Sequence, residues 1–372
     1  MGDKAMIKSI PLASPDIRPE DIKAVTEVLK SGMLVQGKNV QSLESNIANF
    51  TKTEYVSAVS NGTASLHLSL IALGIGEGDE VIIPALSYIA TANVIEIVGA
   101  TPVFVDVELD TFNIDTSKIE DKISSNTKAI MPVHEFGLTA DMTSIMAIAV
   151  KHKLYVIEDA ACALGATHKG QFSGTFGDFG SFSLHPRKAI SSGEGGLLIS
   201  KNKELQQKIN ILRNHGIDFS TGQMDFVEAG YNYRLTDFQA ALVNSQLSRL
   251  TKTLNYKNEL AEVYFDEINS DTIVLPTVPE ESTHTWQTFH ILLPEDFNRQ
   301  ELIQKLRDKG VGTNYGAQCI PAQTYYYNKY KIDSSVYHPN ALRAFNSGLA
   351  IPLYEKLQKE DILYIAQELN KI

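Results

Sequence analysis

A lysine set between a short apolar run and a glycine-rich turn is the strongest chemical signal in this chain. The stretch Phe182 to Gly196 reads FSLHPRKAISSGEGG and carries that residue as Lys188. The small residues of the turn leave room beside the amine. A lysine held away from water is unfavourable unless it is deprotonated or covalently engaged, so such positions recur as Schiff-base or general-base sites. Most lysines are solvated surface charges, and this one gains weight only from its companions. Ser60-Asn61-Gly62-Thr63-Ala64-Ser65 falls between an apolar run and a helical pattern. That turn is either a plain helix cap or an anion cradle, in which free amides and the helix dipole hold a phosphate that Gly62 admits closely. Glu158-Asp159 follows the apolar run Leu154 to Ile157. A carboxylate there can cap, pair with an internal cation, or act as counter-ion to a bound one. Ser183 stands five residues before the lysine.

An anion cradle, a carboxylate and a lysine at one edge of a sheet together suit pyridoxal phosphate. Its phosphate takes amides and a hydroxyl, and its aldehyde condenses with a lysine. Its ring nitrogen keeps a proton beside a carboxylate such as Asp159, which raises the nitrogen's pKa. In an open parallel sheet, ligands bind beyond the carboxyl ends of the strands, so the fold must bring those ends together.

The elements that could do so are visible as alternation. Val56 to Val59, Glu80 to Ile83, Val103 to Val107, Ala129 to Val133 and Leu154 to Ile157 are short apolar runs with helical patterns between them. Continuous rather than alternating apolar runs predict strands covered on both faces, hence an α/β fold with a mostly parallel sheet flanked by helices. Ile22, Val25, Val28 and Leu29 predict a helix ended by Gly32, and a helix carries Leu66, Leu70 and Leu73. A long helical stretch is expected from about Thr236 to Ile268. Beyond Pro276 and Pro279, a run at His290 to Leu293 and helices near Arg299 to Lys309 and Lys359 to Leu369 predict a smaller α/β unit. A chain of 372 residues exceeds what one core usually supports. We expect a large cofactor-binding domain over 1–250, with an N-terminal helical segment, and a small C-terminal domain over 251–372.

Composition removes several classes. A net charge of -11 argues against non-specific binding to nucleic acid or an anionic membrane. Cys162 and Cys319 are too few for a disulfide framework or a four-cysteine zinc site, and His134, His185 and His215 lack zinc-ligand spacing. Gly74-Ile75-Gly76-Glu77-Gly78 precedes a run rather than following one and does not match GxGxxG. No metal is expected. The start MGDKAMIKSIPLASPD lacks the apolar core of a signal peptide, and Pro84 to Val105 is interrupted by Asn93, Glu96 and Pro102. The expected location is the cytoplasm.

Longer blocks carry a resemblance. IEDAACALGA, GDFGSFSLHPRKAISSGEGG and GYNYRLTDFQAAL resemble the signature blocks of DegT/StrS-type sugar aminotransferases, which are fold type I pyridoxal phosphate enzymes. SGMLVQG, SNGTASLHLSLIALGIGEGDEVIIP and TPVFVDVELDTFNID agree as well, in the right order over nearly the whole chain. The resemblance implies that Lys188 condenses with the cofactor and later moves the substrate proton, while Asp159 pairs with the pyridinium. It implies that Gly62, Thr63 and Ser183 hold the phosphate and that Tyr88, in PALSYIAT, stacks on the ring. Asn232 would reach the phosphate of a neighbouring subunit's cofactor, which requires a homodimer. Cys162 stands where relatives often carry Gln or His near the cofactor's phenolic oxygen, and Pro321 where they often carry His. Arg187, Arg213 and Tyr315 are candidate nucleotide contacts. The implied reaction moves an amino group from glutamate to a nucleotide-linked keto sugar. ISSGEGG is similar to relatives that aminate C4 of a 4-keto-6-deoxy sugar. Amination at C3, dehydration, and a non-catalytic cofactor-binding regulator are the alternatives. A lysine at 188, where related dehydratases carry histidine, favours transamination.

Overall fold

The computed structural model describes residues 8–372. Its centre is a seven-stranded sheet. In chain order the strands are Tyr55–Val59 (β1), Glu80–Pro84 (β2), Thr101–Val105 (β3), Thr127–Ile130 (β4), Tyr155–Asp159 (β5), Phe179–Ser183 (β6) and Gly196–Ser200 (β7). Their spatial order is β1-β7-β6-β5-β4-β2-β3. The pairs β2–β3, β2–β4, β4–β5 and β5–β6 are parallel, and β7 alone runs against its two neighbours. Val81 to Pro84 and all of β7 are buried, as strands covered on both faces must be.

Register decides what this sheet can do. Val59 pairs with Gly196, and Gly196 with Ser183. On the far side of β6, Ser181 pairs with Asp159. The carboxyl ends of β1, β6 and β5 and the start of β7 therefore lie side by side on one edge. With neighbouring strands about 4.8 Å apart, this row spans about 14 Å. Segments scattered from Ser60 to Gly196 in sequence converge there.

The helix Gly62–Ala72 follows β1 and is buried along nearly its whole length, Leu66, Leu68 and Leu70 included. Asn61 caps it by accepting from the Ala64 N–H at 2.7 Å. The expected long helix at 236–268 is two helices, Asp237–Leu247 and Leu250–Glu267, broken at Ser248-Arg249. Arg249 explains the break. Its guanidinium turns back to bind both oxygens of buried Asp21, at 2.9 and 2.6 Å, and the Asp16 carbonyl. The helix Pro19–Ser31 buries Val28 but leaves Ile22 and Leu29 exposed, so part of its apolar face is uncovered within the chain.

A second apolar cluster gathers Leu260, Tyr264, Phe289, Ile291, Leu302, Leu349, Ile365 and, from the other end of the chain, Ile10. Its strands Phe289–Leu292 and Gly348–Ile351 pair antiparallel. Ala317, Cys319, Tyr326, Ala341 and Ala344 instead pack on the core of the main sheet, which brings the 313–326 loop beside the strand ends. Among the described residues, no helix is long and apolar enough to cross a membrane.

Candidate active site

A cleft of about 490 Å³ opens at the edge where the strand ends meet. Gly62, Thr63, Tyr88, Asp159, Cys162, Ser183 and Lys188 all line it. Asn232 does not. It is solvent-exposed and lies in a bridge to Asn214, outside this cleft.

Lys188 reaches the cleft from the loop that joins β6 to β7. It is half-buried, and its Nζ donates to Cys162 Sγ at 3.0 Å. Burial pushes the Cys162 thiol up, so the sulfur is a neutral acceptor rather than a thiolate. Asp159, the last residue of β5, is 5 % exposed. Its Oδ2 accepts from the Thr91 hydroxyl at 2.8 Å and its Oδ1 from the Ala161 N–H at 3.2 Å. Burial raises its carboxyl above the ordinary range, against the pull of those two donors and of Lys188. No basic side chain forms an ion pair with Asp159 among the described residues. A buried carboxylate without a partner is what a protonated ring nitrogen would neutralise.

The other end of the cleft suits an anion. The Gly62 and Thr63 N–H groups begin the helix Gly62–Ala72, the Asn61 cap takes only the Ala64 N–H, and Ser183 stands opposite. Gly196 makes this turn possible. A Cβ there would lie 2.5 Å from the Asn61 backbone. Gly196→Ala is therefore expected to displace the Asn61-Gly62 turn and to weaken cofactor binding by about tenfold, an overpacking cost of ~1.4 kcal/mol. Loss of bound chromophore on dialysis measures it.

The neighbours Glu158 and Asp159 divide because successive strand side chains point to opposite faces. Glu158 is structural. Its Oε1 accepts from the Phe176 and Gly177 N–H groups at 2.7 and 2.8 Å, and its Oε2 from the Gly174 N–H at 2.7 Å. His134 Nε2 lies 2.9 Å from the same Oε2. Because His134 Nδ1 accepts from the Ala140 N–H, the ring proton sits on Nε2 and is donated to Glu158. Tyr88 is 68 % exposed at the cleft wall, which excludes a place in the core. Of the candidate nucleotide contacts, Arg187 is exposed at the cleft mouth. Arg213 is internal, donating to Glu44 and to the Ala58 carbonyl, both at 2.6 Å. Tyr315 lies under the Arg299 guanidinium at 4.4 Å.

Sequence reasoning missed Thr91 and Glu135. Thr91 lies three residues beyond Tyr88 in PALSYIAT, and a hydroxyl opposite a strand-end carboxylate is a pairing only topology reveals. Glu135 had a local signal, since it is the one acid in the apolar run MPVHEFGL.

A mostly parallel sheet that presents a lysine, a buried carboxylate without an ion-pair partner and a helix start to one cleft suits a pyridoxal-phosphate-dependent enzyme. The chain belongs to the DegT/DnrJ/EryC1/StrS aminotransferase family, whose model matches residues 15–370. GDP-perosamine synthase of Escherichia coli O157:H7 is 37 % identical over 98 % of this chain and 99 % of its own length. The spore coat polysaccharide biosynthesis protein SpsC of Bacillus subtilis is 36 % identical, with 95 % and 94 % covered. The PLP form of the sugar aminotransferase Spr1654 from Streptococcus pneumoniae superposes with a TM-score of 0.92 at 30 % identity, over 98 % of each chain.

Proposed function

We propose that the protein transfers an amino group from glutamate to a nucleotide-linked 4-keto-6-deoxy sugar, acting in the cytoplasm as a homodimer. The observation that carries this reading is the shared cleft of Lys188, Asp159 and the start of the helix Gly62–Ala72. Gly62, Thr63 and Ser183 would hold the cofactor phosphate. Asp159 would hold the ring-nitrogen proton, its carboxylate oriented by Thr91. Tyr88 would lie against the ring. Bound pyridoxal phosphate supplies the electron sink that makes the substrate C–H acidic. Lys188 Nζ takes the proton from the glutamate α-carbon and, in the second half-reaction, delivers one to the sugar carbon that receives nitrogen.

The sequence ISSGEGG at 190–196 supports amination at C4, and the relative named GDP-perosamine synthase supports a nucleotide-linked substrate. Ile17, Ile22, Leu29, Met33 and Val35, close together in sequence, are all exposed, which supports self-association. Asn232, outside its own cleft, is free to serve a partner's. The test is incubation with GDP-, UDP- and dTDP-linked 4-keto-6-deoxy sugars and glutamate. One 2-oxoglutarate per sugar aminated at C4 is expected. Amination only at C3, or loss of a sugar hydroxyl without glutamate consumption, overturns the reading.

A further inference from the structure

Glu135 is a buried carboxylate at the wall of the cleft. It lines the cleft, is 7 % exposed, and its Oε2 has no hydrogen-bond partner among the described residues. The turn that delivers it is strained and held from several sides. Phe136 has φ 55 and Gly137 φ 106, both in the left-handed region. The Glu135 N–H donates to Asn113 Oδ1 at 2.9 Å, and the Phe136 and Gly137 carbonyls accept from Thr288 and Thr285 at 3.2 and 3.0 Å. The Phe136 ring stacks on His290 at 4.3 Å. A Cβ on Gly137 would lie 2.0 Å from Thr285 Oγ1, the hydroxyl that donates to the Cys162 carbonyl. Backbone strain fixed by so many contacts points to a side chain whose position matters.

The titratable groups that share the cleft with Glu135 and act on it come from different elements: Asp159 from the end of β5, Cys162 from the loop after it, and Lys188 from the loop after β6. Burial, with the Asp159 charge adding and Lys188 opposing, pushes the Glu135 carboxyl up to about 8. Asp159 is committed to Thr91 and the Ala161 N–H, and Cys162 already accepts from Lys188. Glu194 and His185 also line the cleft but are exposed, which leaves Glu135 as the buried acid that is free.

We propose that Glu135 is the proton-holding partner of the Lys188 nitrogen, an acid that hydrogen-bonds into the cleft when neutral and holds positive charge on that nitrogen when ionised. This rests on Lys188 being the lysine that carries the cofactor. The sign follows. As pH rises Glu135 becomes an anion, and an anion nearby keeps the nitrogen protonated to higher pH than a neutral amide would. In the holoenzyme, the pH-dependent change in cofactor absorbance that reports this proton is expected at a pH about 1 unit lower in E135Q than in the wild type. E135D, which keeps the acid, restores the wild-type midpoint. Coincident transitions in wild type and E135Q overturn the proposal. If E135Q takes up no cofactor, the same comparison is made on the cofactor-free proteins. There the pH at which Lys188 becomes reactive to acetic anhydride, mapped by peptide mass, falls in E135Q, and an unchanged profile overturns the proposal. Borohydride reduction and peptide mapping separate the two claims. A pyridoxyl label on another residue sinks the assignment of Lys188, whereas a label on Lys188 with an unshifted transition sinks only the role of Glu135.

Discussion

Replacing Lys188 with alanine is expected to lower turnover by at least about 10⁴-fold, the upper range for loss of a positioned acid/base, and to abolish the pyridoxyl label. The protein should remain folded. Lys188 is half-buried, and its one hydrogen-bonded side-chain partner is Cys162, so truncation breaks no ion pair. Lys188→Arg sharpens the test. Arginine retains the positive charge but does not deprotonate in proteins, so it can neither condense with an aldehyde nor accept a proton. If the lysine acted only by its charge, the arginine variant would keep most of the activity. We expect it to be as inactive as the alanine variant, by single-turnover formation of 2-oxoglutarate from glutamate.

Asp159→Asn is expected to weaken cofactor binding and slow turnover by about 10²- to 10⁴-fold, the ~3–5 kcal/mol lost when one member of a buried ion pair is removed. The cofactor-free protein should respond in the opposite direction. Burial holds the Asp159 carboxyl above its ordinary 3.8, so in that state ionisation opposes folding. The linkage sign is clear: between 3.8 and the raised value the folded chain binds more protons than the unfolded one, and stability falls as pH rises through that window. Above it the full penalty remains, and asparagine removes it. Melting temperatures at neutral pH should therefore be equal or higher for the variant without cofactor and lower with it. A variant destabilised in both states would show that Asp159 is a structural acid.

Much of this site was legible in sequence because its parts sit at strand ends. Apolar runs such as Leu154 to Ile157 mark a buried strand, and the polar residues that follow stand at its end. Asp159, Ser183 and Gly62 stand at or just past such ends, and all three line the cleft. What sequence could not show was which side of the strand each residue takes. Glu158 and Asp159 looked equivalent, yet one binds loop amides and His134 while the other faces the cleft. Thr91 and Glu135 depend on contacts between elements far apart in the chain. The break between Leu247 and Leu250 was hidden because Arg249 suits a helix, and its pairing with Asp21 joins residues far apart in the chain.

The reversed direction of β7 has a mechanical consequence. Ser183 and Gly196 are direct cross-strand partners, so the loop bearing Lys188 leaves and rejoins the sheet at the same point. It is a tether with both feet on one plank. The lysine arm can swing toward a substrate carbon and back while its footing stays still. A change in the loop's length would alter the reach of the arm without shifting the helix start at Gly62 or Asp159.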